Sequence, residues 1–274
     1  MKKVLFSLPF ICNFLFLISV SSCSVNKAKI DNDLATYYES SKLEGCFTLL
    51  DNAKGEITVY NMSMDTTRYS PASTFEILNS LIVLHTGVVT DENMMIKWDS
   101  TLRSTPSWNK DLNIVNAFKE NAVPFFQEVT RRTGRDTLKS WIDSISYGNR
   151  NVDGTLDSFW MNNKLKISPD EQLGFLKRLY FDQLPFRKSV QESVRNMMIQ
   201  EDNTAYKLSY KTGITFDENN NLISWTIGWV EENRHVYFFV NLIKTQDKNI
   251  EMKKTGLGIT KDILTHYGFF KGFK

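Results

Sequence analysis

The feature that most constrains this chain is a change of hydrophobic period that happens twice. Residues 45–50 and 56–60 are β-prone runs on either side of the turn-forming cluster Asp51-Asn52-Ala53-Lys54-Gly55, which reads as a hairpin. From Glu76 the period becomes helical, with Ile77, Leu81 and Leu84 on one face and Leu78 and Ile82 beside them, up to a stop near Thr86-Gly87. Helical signals dominate as far as about residue 204. Val123-Pro124 opens one helix, with Phe125, Phe126 and Val129 on its apolar side, and Ser168-Pro169 caps another over residues 171–180. Period two then returns at 206–211, 222–230 and 235–243, with Asp217-Glu218-Asn219-Asn220 as a turn, before a closing helix over 258–266.

Strands from both ends of the chain then have to share one sheet, which makes the helical part an insertion. The fold class expected is α+β. An antiparallel sheet flanked by terminal helices is built by residues 44–75 and 205–274, and a mostly helical subdomain is inserted over 76–204. A cleft between the two is where a site belongs.

Met1-Lys2-Lys3, an apolar run over 4–20 and the small residues Ser21-Ser22 describe a secretory signal rather than a membrane-spanning helix. Val20-Ser21-Ser22-Cys23 has the bulky-small-small-Cys order of a bacterial lipoprotein cleavage site; an ordinary signal with an incidental cysteine is the alternative. On the lipoprotein reading residues 1–22 are removed, Cys23 carries the lipid, and 23–43 form an anchor segment and helix. The protein is then exported and held at the periplasmic side of a bacterial membrane. Lys2 and Lys3 account for the whole formal charge of +2, so the mature part is balanced and asks for no nucleic acid.

Of three cysteines, Cys12 lies in the signal and Cys23 is the anchor candidate, which leaves Cys46 alone and excludes a disulfide framework. Within Gly-Cys-Phe-Thr-Leu-Leu, Cys46 reads as a small buried apolar residue rather than a nucleophile. His85, His235 and His266 show no metal-type spacing, so neither a metal site, a cofactor nor a histidine triad is expected. Trp98, Trp141, Trp225 and Trp229 read as core.

The chemistry gathers at Pro71-Ala72-Ser73-Thr74-Phe75-Glu76, which leads into the first apolar helix. A serine at a helix start has backbone N–H groups and a helix dipole that favour developing negative charge. A spacing of three brings residue 76 back toward Ser73 on one face. Lys211-Thr212-Gly213 ends a strand, where a cation, a hydroxyl and a close-approach glycine can line an opposite wall.

Arg68-Tyr69-Ser70-Pro71-Ala72-Ser73-Thr74-Phe75, Trp108-Asn109-Lys110-Asp111-Leu112, Ala122-Val123-Pro124, Tyr147-Gly148-Asn149, Phe159-Trp160, Leu165-Lys166-Ile167-Ser168 and Lys211-Thr212-Gly213 follow one another with the spacing of a known family. In these motifs the chain from about residue 44 onward resembles the class D β-lactamases, the oxacillinases. The resemblance implies a β-lactamase or transpeptidase-like fold, β-lactam antibiotics as partners, and a Ser73 that opens the ring through an acyl-enzyme, a hydrolase activity that gives antibiotic resistance. It assigns the oxyanion amides to Ser73 and Ile214, substrate contacts to Lys211, Thr212 and Gly213, and the base pocket to Val123, Trp160 and Met161. Tyr147-Gly148-Asn149 takes a structural role.

Three positions depart from the family pattern. Glu76 stands where the family carries a lysine, whose carbamate serves as general base and accepts the Trp160 indole N–H. A glutamate carboxylate reaches roughly 3 Å less far at bond lengths of about 1.5 Å. A general base needs about 2.6–3.2 Å to the proton that it takes, so this difference decides catalysis. Ser-x-x-Glu is also the helix capping box, so Glu76 has both a capping role and a residual base role open to it. Asn121 replaces a serine that relays a proton, with helix capping as the alternative. Gly256 replaces the arginine that grips the substrate carboxylate; Lys253 or Lys254 as a point charge, or as plain surface lysines, are both open. The function implied is an impaired penicillin hydrolase or, alternatively, a weak or inactive penicillin-binding pseudoenzyme.

Overall fold

The computed structural model describes residues 27–274. The signal, Cys12 and Cys23 lie outside the described residues. Within them one sheet is formed by β1 (Lys27–Ile30), β2 (Glu44–Asp51), β3 (Glu56–Tyr60), β4 (Ile199–Asp202), β5 (Tyr206–Phe216), β6 (Leu222–Glu232) and β7 (His235–Thr245). Its order is β1-β3-β2-β7-β6-β5-β4. The helices are α1 (Ala35–Glu39), α2 (Met62–Asp65), α3 (Phe75–Thr86), α4 (Ile114–Lys119), α5 (Val123–Thr133), α6 (Arg135–Ser144), α7 (Pro169–Tyr180), α8 (Lys188–Met198) and α9 (Met252–His266).

The β2–β7 ladder, with Leu49 opposite Phe239, joins the two ends of the chain in one sheet, as the double change of period requires. Neighbours are antiparallel except at the edge, where β1 pairs β3 in parallel. The sheet expected as antiparallel is therefore mixed. Lys27-Ala28-Lys29-Ile30 is too short to show an alternation that would have announced it.

The sheet is covered on both faces. Ile223, Trp225, Ile227 and Trp229 of β6 join the core made with α3, α5 and α7, whereas Val230 and Ile243 join the core made with α1 and α9. Each buried tryptophan removes roughly 200 Å² from water, a gross gain of about 5 kcal/mol. Trp225 and Trp229 are buried as expected, but Trp98 and Trp141 are only half-buried. Trp141 stacks on Phe186 near the surface instead.

The helical signals of the middle of the chain hold for α3, α5 and α7, and the α7 start closes a full capping box between Ser168 and Glu171. Most of residues 88–113 and 145–168 are loops rather than helix. The closing helix begins at Met252, six residues earlier than the pattern suggests, because Gly256 and Gly258 dilute an inward stripe of Met252, Gly256, Ile259 and Ile263.

Asp65 at the end of α2 is a buried carboxylate that accepts from the Thr48 hydroxyl of β2. Burial pushes its carboxyl up to about 6; Thr48 opposes that and Asp170 adds to it. A carboxylate raised in the folded state favours folding only while protonated, so its penalty is absent below pH 4 and complete above pH 6. Asp65→Asn keeps an oxygen acceptor for Thr48. Its stability relative to the parent should rise between pH 4 and pH 7 by at most about 3 kcal/mol. Urea unfolding at the two pH values checks this; an unchanged difference would show that Asp65 is not the titrating group.

Candidate active site

Ser73 lies in a single 3-10 turn, Ala72–Thr74, that runs directly into α3. Ala72 takes φ +50, the left-handed region that a non-glycine residue enters at a cost of roughly 1–3 kcal/mol. Hydrogen bonds hold it there. The Ala72 amide donates to the Trp160 carbonyl at 2.9 Å and the Ser70 hydroxyl to the same carbonyl at 2.8 Å. The Trp225 indole donates to the Ser70 carbonyl at 2.8 Å, and Gln172 donates to the Thr74 hydroxyl at 2.8 Å. Ser73 itself is 8 % exposed.

Strand β5 lies against this turn. β4 pairs only with the first part of β5, through Ser209, so the outer edge from Tyr210 onward has no strand partner among the described residues. Gly213 sits on that stretch, and a Cβ on it would stand 2.9 Å from the Ser73 amide nitrogen and 3.0 Å from that of Thr74. Only glycine lets the strand come this close to the nucleophile's backbone, which is the arrangement an oxyanion site needs. Ile214 follows at once, opposite Ser224 of β6.

Glu76, in the first turn of α3, is fully buried, and its Oε2 lies 2.6 Å from the Nζ of Lys211. Neither carboxylate oxygen accepts a hydrogen bond of good geometry. The capping role open to Glu76 is thus not formed. Thr74 precedes the helix without a side-chain cap, and its hydroxyl donates to the Pro71 carbonyl. Lys211 is 3 % exposed, donates to the Phe118 carbonyl at 2.5 Å and stands 3.9 Å above the Phe118 ring. Burial drives the Glu76 carboxyl up; the Lys211 charge pulls back against it, with smaller pulls from the Ser73 hydroxyl and the Lys253 ammonium. Burial likewise drives the Lys211 ammonium down; Glu76 opposes this and Lys253 adds to it. The acid and the cation therefore neutralise each other beneath Ser73. Burial prevails, so the Glu76 carboxyl stays raised overall; what limits it toward a serine proton is its short reach and its engagement with Lys211.

The neighbouring positions hold further buried polar groups without partners among the described residues. Trp160 is fully buried, and its indole N–H has no acceptor among the described residues, an omission that costs about 1–3 kcal/mol. Asn121 adopts φ +49, and its Oδ1 is buried without a donor. The capping role open to it is not formed either, since Ala122 precedes α5. Val123 and Met161 are half-buried. Thr215 of β5 donates to the Met161 carbonyl at 2.8 Å, which ties the Trp160 loop to the strand.

Tyr147-Gly148-Asn149 is structural. Gly148 has φ +52, and a Cβ on it would lie 2.0 Å from the Lys166 carbonyl oxygen. Asn149 donates to the Lys164 carbonyl and accepts from the Lys166 amide. Cys46 is buried in β2 with its thiol pushed well up by burial, as suits a packing residue. Among the described residues no cluster of His, Cys, Asp and Glu could hold a metal ion. The Phe118 carbonyl and ring, which hold Lys211, escaped sequence reasoning because a backbone oxygen leaves no residue signature.

Residues 45–265 match the penicillin binding protein transpeptidase domain family. The probable β-lactamase YbxI of Bacillus subtilis is 35% identical over 245 residues, covering 89% of this chain and 86% of that protein. The chain belongs to the class D β-lactamase family. Among solved structures, the class D β-lactamase from Sebaldella termitidis superposes with a TM-score of 0.86 at 30% identity, covering 90% of this chain and all of that one. The C-terminal domain of the Bacillus licheniformis BlaR penicillin receptor superposes at 0.84 with 27% identity, over 89% of this chain and 98% of that domain. As a class D family member, this chain carries an acid, Glu76, paired with Lys211 beside the serine turn and the glycine approach.

Proposed function

We propose that this protein recognises penicillins and is acylated by them at Ser73, with slow release of the opened product. The observation that carries the reading is the 2.6 Å ion pair between Glu76 and Lys211 under an otherwise ordered serine turn. A β-lactam is strained and gives up its amide readily, so the attack of Ser73 can go forward with weak base assistance. Hydrolysis of the ester that results needs a base to activate water, and Glu76 is held by Lys211. On the same reading residues 1–22 export the chain and Cys23 carries a lipid, which keeps Ser73 on the periplasmic side, where penicillins arrive.

The likeness to the BlaR receptor domain favours a second outcome of the same chemistry, a binding protein in which the acyl group stays. Intact-mass measurement after mixing with benzylpenicillin tests the reading. The expected result is a stoichiometric adduct of the whole penicillin that maps to Ser73 and is missing in Ser73→Ala. An unmodified protein that also releases no product would overturn it.

A further inference from the structure

Lys211 is held from two sides by short contacts. Its Nζ lies 2.6 Å from Oε2 of Glu76 on α3, donates to the Phe118 carbonyl at 2.5 Å and stands 3.9 Å from the centre of the Phe118 ring. The Phe126 ring of α5 is further away, at 6.0 Å. Phe118 lies in the last turn of α4 and is buried. A carbonyl at that end of a helix lacks a full set of intrahelical partners, and a lysine side chain is a natural cap for it. The same carbonyl accepts the Asn121 amide at 3.4 Å, so the strand cation and the Asn121 turn share one anchor.

Both groups of Phe118 favour the charged amine over the neutral one. An aromatic face attracts an ammonium within about 6 Å of its centre, and does so more strongly where water is excluded. A hydrogen bond from an ammonium is roughly twice as strong as one from an uncharged donor. Burial works in the opposite sense and drives the Lys211 ammonium down; Glu76 opposes this and Lys253 of α9 adds to it. Ile227 of β6, opposite Lys211 in the sheet, brings no charge. The charge on Lys211 is thus balanced between burial on one side and Glu76 with Phe118 on the other.

We propose that Phe118 is a positioning residue of the Ser73 site: its ring and carbonyl keep Lys211 charged and turned onto Glu76, and so withhold that carboxylate from an acyl group on Ser73. This rests on the reading of Ser73 as the acylated residue, and it names the residue that keeps the adduct in place. Hydrolysis of the adduct joins a water oxygen to the acyl carbon and breaks the bond from that carbon to the Ser73 Oγ. The proton leaving the water is taken up by the carboxylate, directly or through a second water, and is returned to Oγ. While Lys211 is an ammonium 2.6 Å away, the carboxylate is engaged. When Lys211 loses its proton as the pH rises, the carboxylate is left buried without a cation, its proton affinity increases, and the adduct decays faster. A ring that holds the cation less well moves this acceleration to lower pH.

The test keeps the shape of residue 118 and changes its ring face. Mono-, di- and trifluorinated phenylalanine at 118 weaken the negative face of the ring stepwise, and Phe118→Leu removes it. Decay of the benzylpenicillin adduct is followed by intact mass from about pH 6 to about pH 10, a range that spans the titration of a lysine lowered by burial. Lys211 itself is titrated by NMR of isotope-labelled lysine, its signal assigned by its absence from the double variant Glu76→Leu with Lys211→Met. The midpoints of both profiles are expected to fall together, stepwise along the fluorinated series and by roughly one pH unit in Phe118→Leu. Midpoints that stay fixed along the fluorinated series overturn the proposal, as does a Lys211 midpoint that falls while the decay profile stays in place. Failure to form any adduct sinks the reading of Ser73 and with it the effect on the adduct, whereas a Lys211 midpoint that still falls along the series upholds the grip of Phe118 on the cation.

Discussion

Glu76→Lys should raise steady-state penicillin hydrolysis by roughly 10²–10⁴-fold, the range that a positioned general base contributes, with a further gain on adding bicarbonate. The parent pocket holds one acid and one cation at 2.6 Å. A lysine at 76 puts two ammonium groups in a fully buried space, and the repulsion together with desolvation drives one of them neutral. A neutral amine adds carbon dioxide and loses a proton to solvent, giving a carbamate that restores an anion beside Lys211. That anion is longer than glutamate by roughly 3 Å at bond lengths of about 1.5 Å. It also offers an acceptor to the Trp160 indole N–H, which has none among the described residues. A chromogenic cephalosporin or penicillin assay with and without bicarbonate measures the effect. Unchanged hydrolysis would mean that Asn121 and Gly256 limit the chemistry more than Glu76 does.

Lys211→Met should cost about 3–5 kcal/mol of stability, because it leaves the Glu76 carboxylate buried without its partner. In a chain of this size that amounts to a fall of roughly 10 °C in Tm. The double variant Glu76→Leu with Lys211→Met should recover most of the loss, since replacing a buried pair by apolar groups of similar volume is often neutral or better. Urea unfolding of the two single variants and the double one gives the coupling. Additive losses would show that the two side chains contribute independently, and the ion pair would then have no special weight.

What was legible in the sequence follows from which signals are local. The hairpin β2–β3, the helix after Ser73, the Pro-started helices α5 and α7 and the strands β5 to β7 each announce themselves by period or turn chemistry. The edge strands β1 and β4 have four residues each and no clear alternation, so they stayed hidden. Ser73, Lys211 and Gly213 were legible as a set only through the resemblance to class D enzymes. Their actual relation depends on a contact between residues 135 positions apart, which no pattern within a segment reveals. The local rule for Ser-x-x-Glu pointed to a capping box, and the tertiary ion pair overrode it.

We propose that the nucleophile is built and that the carboxylate beneath it is held by Lys211. Decay of the Ser73 adduct, followed by intact mass after brief exposure to benzylpenicillin and removal of the excess, tests this most directly when the parent and Glu76→Lys are compared. The adduct should persist in the parent and decay at least roughly a hundredfold faster in Glu76→Lys with bicarbonate. Equal decay in the two proteins would contradict the claim, because Glu76 would then be no obstacle to deacylation.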